Sequence, residues 1–332
     1  MAAGIGIGRF VYTPILPPMV EALGLTKSQA GLIASANFVG YFVGALLAAL
    51  PLPGSRRTWL LGFLAVNAIC LGAMGLTVSL PLFLLLRLVA GIASAFILIF
   101  ASALVLDRLA AAGRGSLSAV HFAGVGSGIT VSAALVATLS DWRTMWFASA
   151  VLALVAGTAV WAMVPADHPG AAATPAPSRS KPNARFLTLA AAYGLFGFGY
   201  IITATFIVAM VRDSKEIAAL EPYIWVMFGL AAVPSVALWI TEATVILSSI
   251  FVGGTFMGLT ALGLIAAREG EGDPRGRIAL ITAAFSAGQI LGPAFAGYVY
   301  DLTGSFAGPS WCAAAALMLA AVLCHLSSRM GS

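Results

Sequence analysis

Charged residues are scarce in this chain, at 9% of its 332 residues. A soluble globular domain has about 25% charged residues. Hydrophobic residues make up 61% of the chain, and 17 Lys and Arg face 12 Asp and Glu. Such a composition does not suit an ordinary soluble protein. It predicts an all-α polytopic membrane protein, in which the excess of positive charge belongs to cytoplasmic loops and not to a nucleic-acid interface.

Cysteine and catalytic motifs are also lacking. The three cysteines, Cys70, Cys312 and Cys324, all lie in apolar segments, which indicates neither a disulfide framework nor a metal site. The sequence has no H-E-x-x-H, no G-x-S-x-G and no P-loop lysine pattern. We therefore expect no enzyme activity and no cofactor.

Long apolar segments fill most of the chain, and a spanning helix needs about 20 such residues. The first half yields six predicted spans, at 1–23, 28–50, 58–78, 81–106, 116–139 and 143–164. The second half yields five, at 185–211, 222–240, 243–267, 278–301 and 307–327. Between them, 165–184 is rich in Pro, Ala and Ser, which is typical of a linker. We predict an N-terminal bundle over 1–164, a cytoplasmic linker over 165–184 and a C-terminal bundle over 185–332, with about 11 transmembrane helices (6 + 5).

The distribution of Lys and Arg predicts the orientation of these spans. Positive residues mark the loops after spans 2, 4 and 6 as cytoplasmic: Arg56, Arg57, Arg108, Arg114, Arg179, Lys181 and Arg185. The second half breaks the alternation, because the turn at Thr241–Glu242 and the loop with Arg268 both fall inside, yet only one span separates them. Either the positive-inside bias fails here or one span is missing.

A short motif recurs in the two halves. Ala123-Gly124-x-x-x-Gly128 is followed 164 residues later by Ala287-Gly288-x-x-x-Gly292. Paired halves around a central loop are typical of secondary transporters.

Four motifs are similar to those of one large family. They are Gly8-Arg9-Phe10-Val11-Tyr12-Thr13-Pro14, Gln29-Ala-Gly31 running into Ala36-Asn37-Phe-Val-Gly40-Tyr41, Arg87-Leu-Val-Ala-Gly91, and Gly288-Gln289-Ile-Leu-Gly292-Pro293 running to Asp301-x-x-Gly304. With them the chain resembles the major facilitator superfamily, and within it the uncharacterised YbfB/YjiJ-like bacterial group. The resemblance implies a multi-pass transporter of the bacterial cytoplasmic (inner) membrane.

The chain departs from that family at two places. The loop 51–57 keeps an arginine pair but lacks the acidic residue usual in the superfamily's gating loop. The family pattern also has twelve spans, whereas span 8 here runs directly into what resembles span 10. The ninth span is therefore the one expected to be missing. This agrees with the charge parity, by which we mean that two cytoplasmic loops need an even number of spans between them.

Arg9 is the first candidate for a functional residue. It lies about 14 residues, or about 21 Å of helix, from the outer end of its span. An arginine at such depth costs roughly 2.5–3.5 kcal/mol on insertion scales. Two explanations are open: a contact for an anionic substrate, with Tyr12 one turn on, or a structural arginine bonded to carbonyls of a neighbouring helix.

Arg87 and His121 are candidates for proton coupling. The superfamily resemblance suggests that role for Arg87; the alternative is an interfacial arginine that reaches lipid headgroups. Histidine titrates near neutral pH and can carry a proton. The alternative for His121 is a side chain simply hydrogen-bonded in place.

Five polar side chains could line a cavity with Arg9. Asn37, Asn67 and Gln289 are amides in apolar helices, and either bind substrate or bond helix to helix. Asn37 and Gln289 lie in the family-like motifs. Tyr200 and Thr203 of span 7 take the place in the second half that the arginine and tyrosine of span 1 hold in the first. We predict a substrate site that includes Asn37, Gln289, Tyr200 and Thr203 but not Asn67.

The sequence thus predicts a secondary active transporter that moves a small solute, with an organic anion as the candidate, by alternating access. The expected energy source is a proton gradient, and the expected partners are a small-molecule substrate, protons and membrane lipids around a monomer. Two alternatives stay open. One is a truncated, non-transporting carrier or solute sensor in the membrane; the other is a membrane-embedded enzyme.

Overall fold

The computed structural model describes residues 1–48, 50, 52–114, 117–164, 183–213, 218–238 and 274–329. Within these ranges the chain forms helices and no β-strand. The α-helices are α1 (Tyr12–Leu23), α2 (Lys27–Ala48), α3 (Arg56–Leu76), α4 (Leu80–Ala111), α5 (Ser118–Ala137), α6 (Trp142–Met163), α7 (Ala184–Asp213), α8 (Glu221–Leu238), α9 (Pro274–Thr303) and α10 (Ala307–Arg329). Eight of the described helices are long and apolar enough to cross a membrane. The prediction of an all-α polytopic protein is confirmed.

The boundaries of the described helices lie within about five residues of the predicted spans, except in span 1. The predicted linker 165–184 lies almost wholly outside the described residues, and the predicted span 243–267 lies wholly outside them. The number of 11 helices therefore stays a prediction.

The first span was predicted as one regular helix, but its hydrogen bonding is irregular around Arg9, and we call this irregularity the break. Gly8 and Val11 keep right-handed helical backbone angles, and the N–H groups of Arg9 and Val11 still bond carbonyls four residues earlier. A π-helix covers Ala2–Ile7, the chain turns over 8–11, and α1 then begins at Tyr12. Pro14 has no N–H for the carbonyl of Phe10, and the Thr13 N–H bonds that carbonyl instead, at 3.3 Å. The Thr13 N–H would otherwise bond the Arg9 carbonyl, which is thereby freed in the middle of the span.

Helices of the first half (α1–α6) and the second half (α7–α10) pack along two seams, α2 against α9 and α5 against α8. Both seams depend on glycine. A Cβ on Gly31 of α2 would overlap the Pro293 carbonyl of α9, and one on Gly229 of α8 would overlap Thr130 of α5. These seams hold the two halves at backbone-to-backbone distance.

The antiparallel helices α3 and α6 cap each other with arginines. Arg57, at the start of α3, donates to the Val164 carbonyl at 2.6 Å and the Trp161 carbonyl at 2.9 Å, at the end of α6. Arg143, at the start of α6, donates to the Gly75 carbonyl at the end of α3, at 3.0 Å. Each guanidinium thus satisfies carbonyls that a helix C-terminus leaves without partners.

A group of charged residues joins the two halves at the ends predicted to face outward. We call it the outer cluster; its members are Glu21, Lys27, Arg212, Asp213, Glu221 and Asp301. The two carboxylate oxygens of Asp301 accept the backbone N–H groups of Lys27 and Ser28, at 3.0 and 2.9 Å. Asp301 of α9 therefore caps the N-terminal end of α2.

Three ion pairs complete the outer cluster. Two of them cross between the halves: Lys27 Nζ lies 3.4 Å from the Asp213 carboxylate, and Arg212 lies 3.1 Å from Glu21. The third, between Arg212 and Glu221 at 2.8 Å, lies within the second half. The ends of α1 and α2 are thereby tied to those of α7, α8 and α9.

Candidate functional site

Arg9 lies between the two halves of the protein. Its side chain is 7% exposed, and its Nη2 donates to Oε1 of Gln289 in α9 at 2.8 Å. Its Cζ lies over the rings of Tyr41 at 4.3 Å and Phe38 at 4.7 Å, both in α2. The arginine and the glutamine predicted for the substrate site are thus in direct contact, held by an aromatic wall.

Arg87 reaches the same place from α4. It is 2% exposed, its Nη2 donates to the freed Arg9 carbonyl at 3.3 Å, and its Cζ lies 4.9 Å from the ring centre of Tyr12. The Nδ2 of Asn37 donates to the backbone carbonyl of Arg87 at 3.0 Å and holds α4 against α2. The alternative of an interfacial Arg87 among lipid headgroups is therefore wrong.

Tyr12 was expected beside Arg9 in the substrate site, but Tyr41 occupies that position and Tyr12 has a structural contact. The hydroxyl of Tyr12 donates to the Ala30 carbonyl at 2.8 Å, so it holds α1 against α2. Tyr41 takes the place beside the Arg9 guanidinium instead. Sequence reasoning quoted Tyr41 within a motif but did not select it; its position one turn after Asn37, on the same helix face, was the available signal.

The second half contributes Tyr200, which is buried and interacts electrostatically with Arg9. Its ring stacks on Phe196 at 5.7 Å and Phe285 at 6.4 Å between centroids. Thr203 is half-buried, and within the described residues no contact joins it to Arg9. The structure thus brings Tyr200 to the site and leaves Thr203 as a prediction.

His121 lies apart from this site. Its Nε2 is 3.3 Å from the Ser102 hydroxyl of α4, and its ring meets Phe122 edge-on at 5.1 Å. Among the described residues no contact links it to Arg9 or Arg87. A proton held by His121 would have to reach the site through other groups.

Positive charge at the site has no acidic counterpart among the described residues. The ionisable groups that interact with Arg9 are Tyr41 and Tyr200, and those that interact with Arg87 are Tyr12, Arg9 and Cys70. Several buried polar atoms bond no protein group: Arg9 Nε, Arg87 Nε and Nη1, Asn37 Oδ1, and both amide atoms of Asn67. Buried charges and polar groups ordinarily have partners, so these atoms are available to bind a solute, an ion or water.

The arrangement is chemically suited to binding. It has hydrogen-bond donors, two guanidinium groups and aromatic faces, with a freed backbone carbonyl at the break in the first span. In the described part of the chain no group of three or more His, Cys, Asp or Glu side chains is placed to hold a metal ion.

Comparison with known proteins agrees with this architecture. The family described as uncharacterised MFS-type transporter YbfB matches residues 1–244 and 241–325. The two matched segments meet at 241–244, beside the place where the charge parity predicted a missing span. The family is one of transporters and not of enzymes, in agreement with the lack of catalytic motifs.

A relative from Streptomyces lividans, described as a chloramphenicol resistance protein, is 30% identical over 273 residues. The match covers 80% of this chain and 64% of the relative, so the chain spans less than two thirds of that protein's length.

Two solved structures share the fold. One, a point mutant of the nucleoside transporter NupG, has a TM-score of 0.66 at 14% identity and covers 100% of this chain and 99% of its own. The other, a bacterial homologue of the human lysosomal transporter Spinster in an inward-facing and occupied conformation, has a TM-score of 0.67 at 15% identity, over 99% and 94% of the two chains. At these identities the likeness concerns the fold alone. With the family match, it follows that the chain belongs to the major facilitator superfamily, in its family of YbfB-like transporters, and is a multi-pass protein of the bacterial cytoplasmic membrane.

Proposed function

We propose that this chain is a secondary active transporter that carries a small organic anion across the cytoplasmic membrane by alternating access. One observation carries the proposal: Arg9, buried between the two halves, has no acidic partner in the described residues and bonds Gln289 of the opposite half. A buried, uncompensated guanidinium at membrane depth favours an anion as its partner.

The aromatic residues around Arg9 support a solute with an apolar part. Phe38 and Tyr41 lie on the first-half side, and Phe196, Tyr200 and Phe285 stack on the second-half side. A carboxylate on Arg9 would leave the rest of the solute between these rings. We propose substrate contacts from Arg9, Tyr41, Asn37, Tyr200 and Gln289, with Tyr12 in support and Thr203 at the margin.

Alternating access fits the seams between the halves. Arg9 and Gln289 lie between the halves, while the outer cluster ties them together at the outward ends. We propose that this conformation is closed to the outside, and that the outer cluster separates when the site opens outward. The moving bodies would be 1–164 and 185–332, joined by the linker 165–184, in a protein that works as a monomer among membrane lipids.

Protons are the proposed coupling ion. Arginine keeps its proton in proteins, so Arg87 would act on coupling through the group that it binds. His121 is the side chain proposed to carry the proton, and its contact with Ser102 connects α5 to α4, the helix of Arg87.

Efflux of chloramphenicol is a second candidate function. Its support is the description of the 30% identical relative as a chloramphenicol resistance protein. Because chloramphenicol is neutral, its binding would depend on the aromatic residues more than on Arg9. The remaining alternative is a membrane protein that binds a solute without transporting it.

Flux into proteoliposomes separates these functions. We would load purified protein into vesicles with an imposed pH gradient and measure uptake of radiolabelled aromatic and aliphatic carboxylates and of chloramphenicol. Arg9→Ala serves as the site variant, and Arg108→Ala, at the exposed end of α4, as the matched arginine control.

Carboxylate uptake that needs the gradient and Arg9 supports the proposal, and uptake of chloramphenicol alone supports the second candidate. Binding without flux, in a protein that is otherwise folded, would show a non-transporting carrier.

A further inference from the structure

Two buried side chains beside the break in the first span, Asn67 and Arg87, have polar atoms that bond no protein group. Asn67 of α3 is fully buried, and neither its Oδ1 nor its Nδ2 bonds any protein group. Arg87 of α4 uses only Nη2, on the Arg9 carbonyl, while Nε and Nη1 have no partner. A buried hydrogen-bonding group without a partner destabilises the fold, and more so when the group is charged.

Asn67 and Arg87 meet the same short piece of backbone. A Cβ on Gly8 would overlap the amide of Asn67, so that amide lies directly against the backbone at Gly8. Arg87 bonds the carbonyl of the next residue, Arg9. The amide and the guanidinium therefore contact two consecutive residues, Gly8 and Arg9, and both come from first-half helices.

The guanidinium of Arg87 is held in a fixed position. The ring of Tyr12 covers one face at 4.9 Å, and Asn37 anchors the backbone of α4 at Arg87. The ionisable groups that interact with it are Tyr12, Arg9 and Cys70, and none of these is a carboxylate. A buried cation that is held in place and has no carboxylate beside it favours the binding of an anion, because burial without a counter-charge is costly.

We propose that Arg87 and Asn67 form a second anion-binding site, separate from the contact between Arg9 and Gln289. Its ligand is a small anion or a compact anionic group that accepts one hydrogen bond from Arg87, at Nε or at Nη1, and one from Asn67 Nδ2. Two sources can supply that chemistry: a free halide, or a second acidic group on the transported solute. The site goes beyond the proposed function, because an anion can occupy it whether or not Arg9 binds the solute.

The bound anion would neutralise Arg87 and keep it on the Arg9 carbonyl, so it would stabilise the broken form of the first span. A substitution can imitate this. In Asn67→Asp a fixed carboxylate takes the place of the amide against Gly8, one residue from the carbonyl that Arg87 bonds, and the variant should no longer need the ligand. Asn67→Leu keeps a similar volume and removes the hydrogen-bonding groups.

Thermal unfolding of purified protein in detergent tests the proposal. Tm would be measured against sodium chloride, and separately against sodium glutarate, with sodium gluconate keeping the ionic strength constant. We expect a saturable rise in Tm for the parent. The apparent affinity should fall roughly tenfold or more in Asn67→Leu, because a hydrogen bond to a charged ligand is lost. Asn67→Asp should have a Tm in gluconate close to that of the anion-saturated parent, and no further response.

Further results identify the source of the anion or contradict the proposal. A response to chloride that survives in Gln289→Leu and Arg9→Ala identifies a free anion, independent of the transport site. A response to glutarate alone, lost in Asn67→Leu, identifies the second acidic group of a solute. If the parent responds to neither salt, if Asn67→Leu responds as the parent does, or if Asn67→Asp folds but is less stable than the parent in gluconate, the second site does not exist.

Discussion

Arg9 and Gln289 form a 2.8 Å hydrogen bond between the two halves, and each stands about one turn before a proline. Pro14 leaves the first span broken at Arg9, and Pro293 cannot donate a backbone hydrogen bond to the carbonyl of Gln289. The side-chain link between the halves therefore joins two helices at points where their own backbone hydrogen bonding is incomplete. Such points need less energy to bend than regular helix.

Replacement of Arg9 tests the proposed substrate contact. We predict that Arg9→Ala weakens solute binding roughly 10- to 100-fold, the range for a lost hydrogen bond to a charged group. Arg9→Lys should restore only part of it, because an ammonium cannot reproduce the guanidinium fork. Isothermal titration of purified protein measures both, with Arg108→Ala as control. Binding by Arg9→Ala as tight as in the parent contradicts the assignment.

The break in the first span should be required for transport, whereas the folded protein should be no less stable without it. In Pro14→Ala the restored N–H can bond the Phe10 carbonyl, Thr13 can return to the Arg9 carbonyl, and Arg87 loses its acceptor. We predict that transport is lost while stability stays equal or rises by up to about 3 kcal/mol, the difference between proline and alanine within a helix. Thermal unfolding and vesicle flux measure the two effects.

Pro18→Ala, four residues farther along α1, is the matched control and should leave transport closer to the parent rate. Parent-like transport by Pro14→Ala would mean that the broken form is not the functional one.

The outer cluster should hold the site closed to the outside. Asp301→Asn removes the charge that caps α2, and a helix cap contributes about 1 kcal/mol. We therefore predict a shift of roughly fivefold toward outward-open protein. It is measured as faster labelling of Ser35→Cys by an impermeant maleimide in a cysteine-free background, since Ser35 lies buried against α9.

Asp141→Asn is the control, because Asp141 caps α6 by accepting the N–H of Thr144 without joining the two halves. Equal labelling rates in the two variants and the parent would remove the outer cluster from gating.

Proton coupling should be separable from solute movement. In His121→Gln and Arg87→Gln we predict that uptake driven by a pH gradient fails, while exchange of labelled for unlabelled solute persists. Both rates are measured in the same vesicle preparation. An equal loss of uptake and exchange would instead indicate that the substituted residue holds the structure.

The missing span is tested outside the described residues. The three positive charges favour a cytoplasmic position for the loop that contains Arg268, Arg275 and Arg277. Gly270→Cys should then resist an impermeant thiol reagent in whole cells, as Ser178→Cys in the central linker does. Labelling of Gly270→Cys from outside, with Ser178→Cys protected, would show that the orientation is wrong.

Hydropathy predicted the described helices well because burial in lipid demands long apolar segments, whatever their neighbours. The site was predicted in part. Arg9, Asn37, Arg87 and Gln289 stand out because polar groups are costly in the membrane. Tyr41 and Phe38 do not, since an aromatic ring beside a guanidinium has the same local pattern as one that faces lipid.

Long-range partners were beyond the reach of local pattern. Asp301 is the last residue of the predicted span 278–301, but its target, the first turn of α2, lies more than 270 residues earlier. The break at Gly8–Val11 had a local signal in Pro14. It was overlooked because the segment is apolar enough to be counted as one span.

The reciprocal arginine caps make the distance between α3 and α6 an internal reference. Because Arg57 and Arg143 fasten the pair at opposite ends, the spacing of the two helices should stay constant when the halves rock. Spin labels on α3 and α6 would then give one invariant distance in every ligand condition. Any distance between α3 and a second-half helix such as α9 could be calibrated against it, so movement of the halves could be told from loosening of the whole protein.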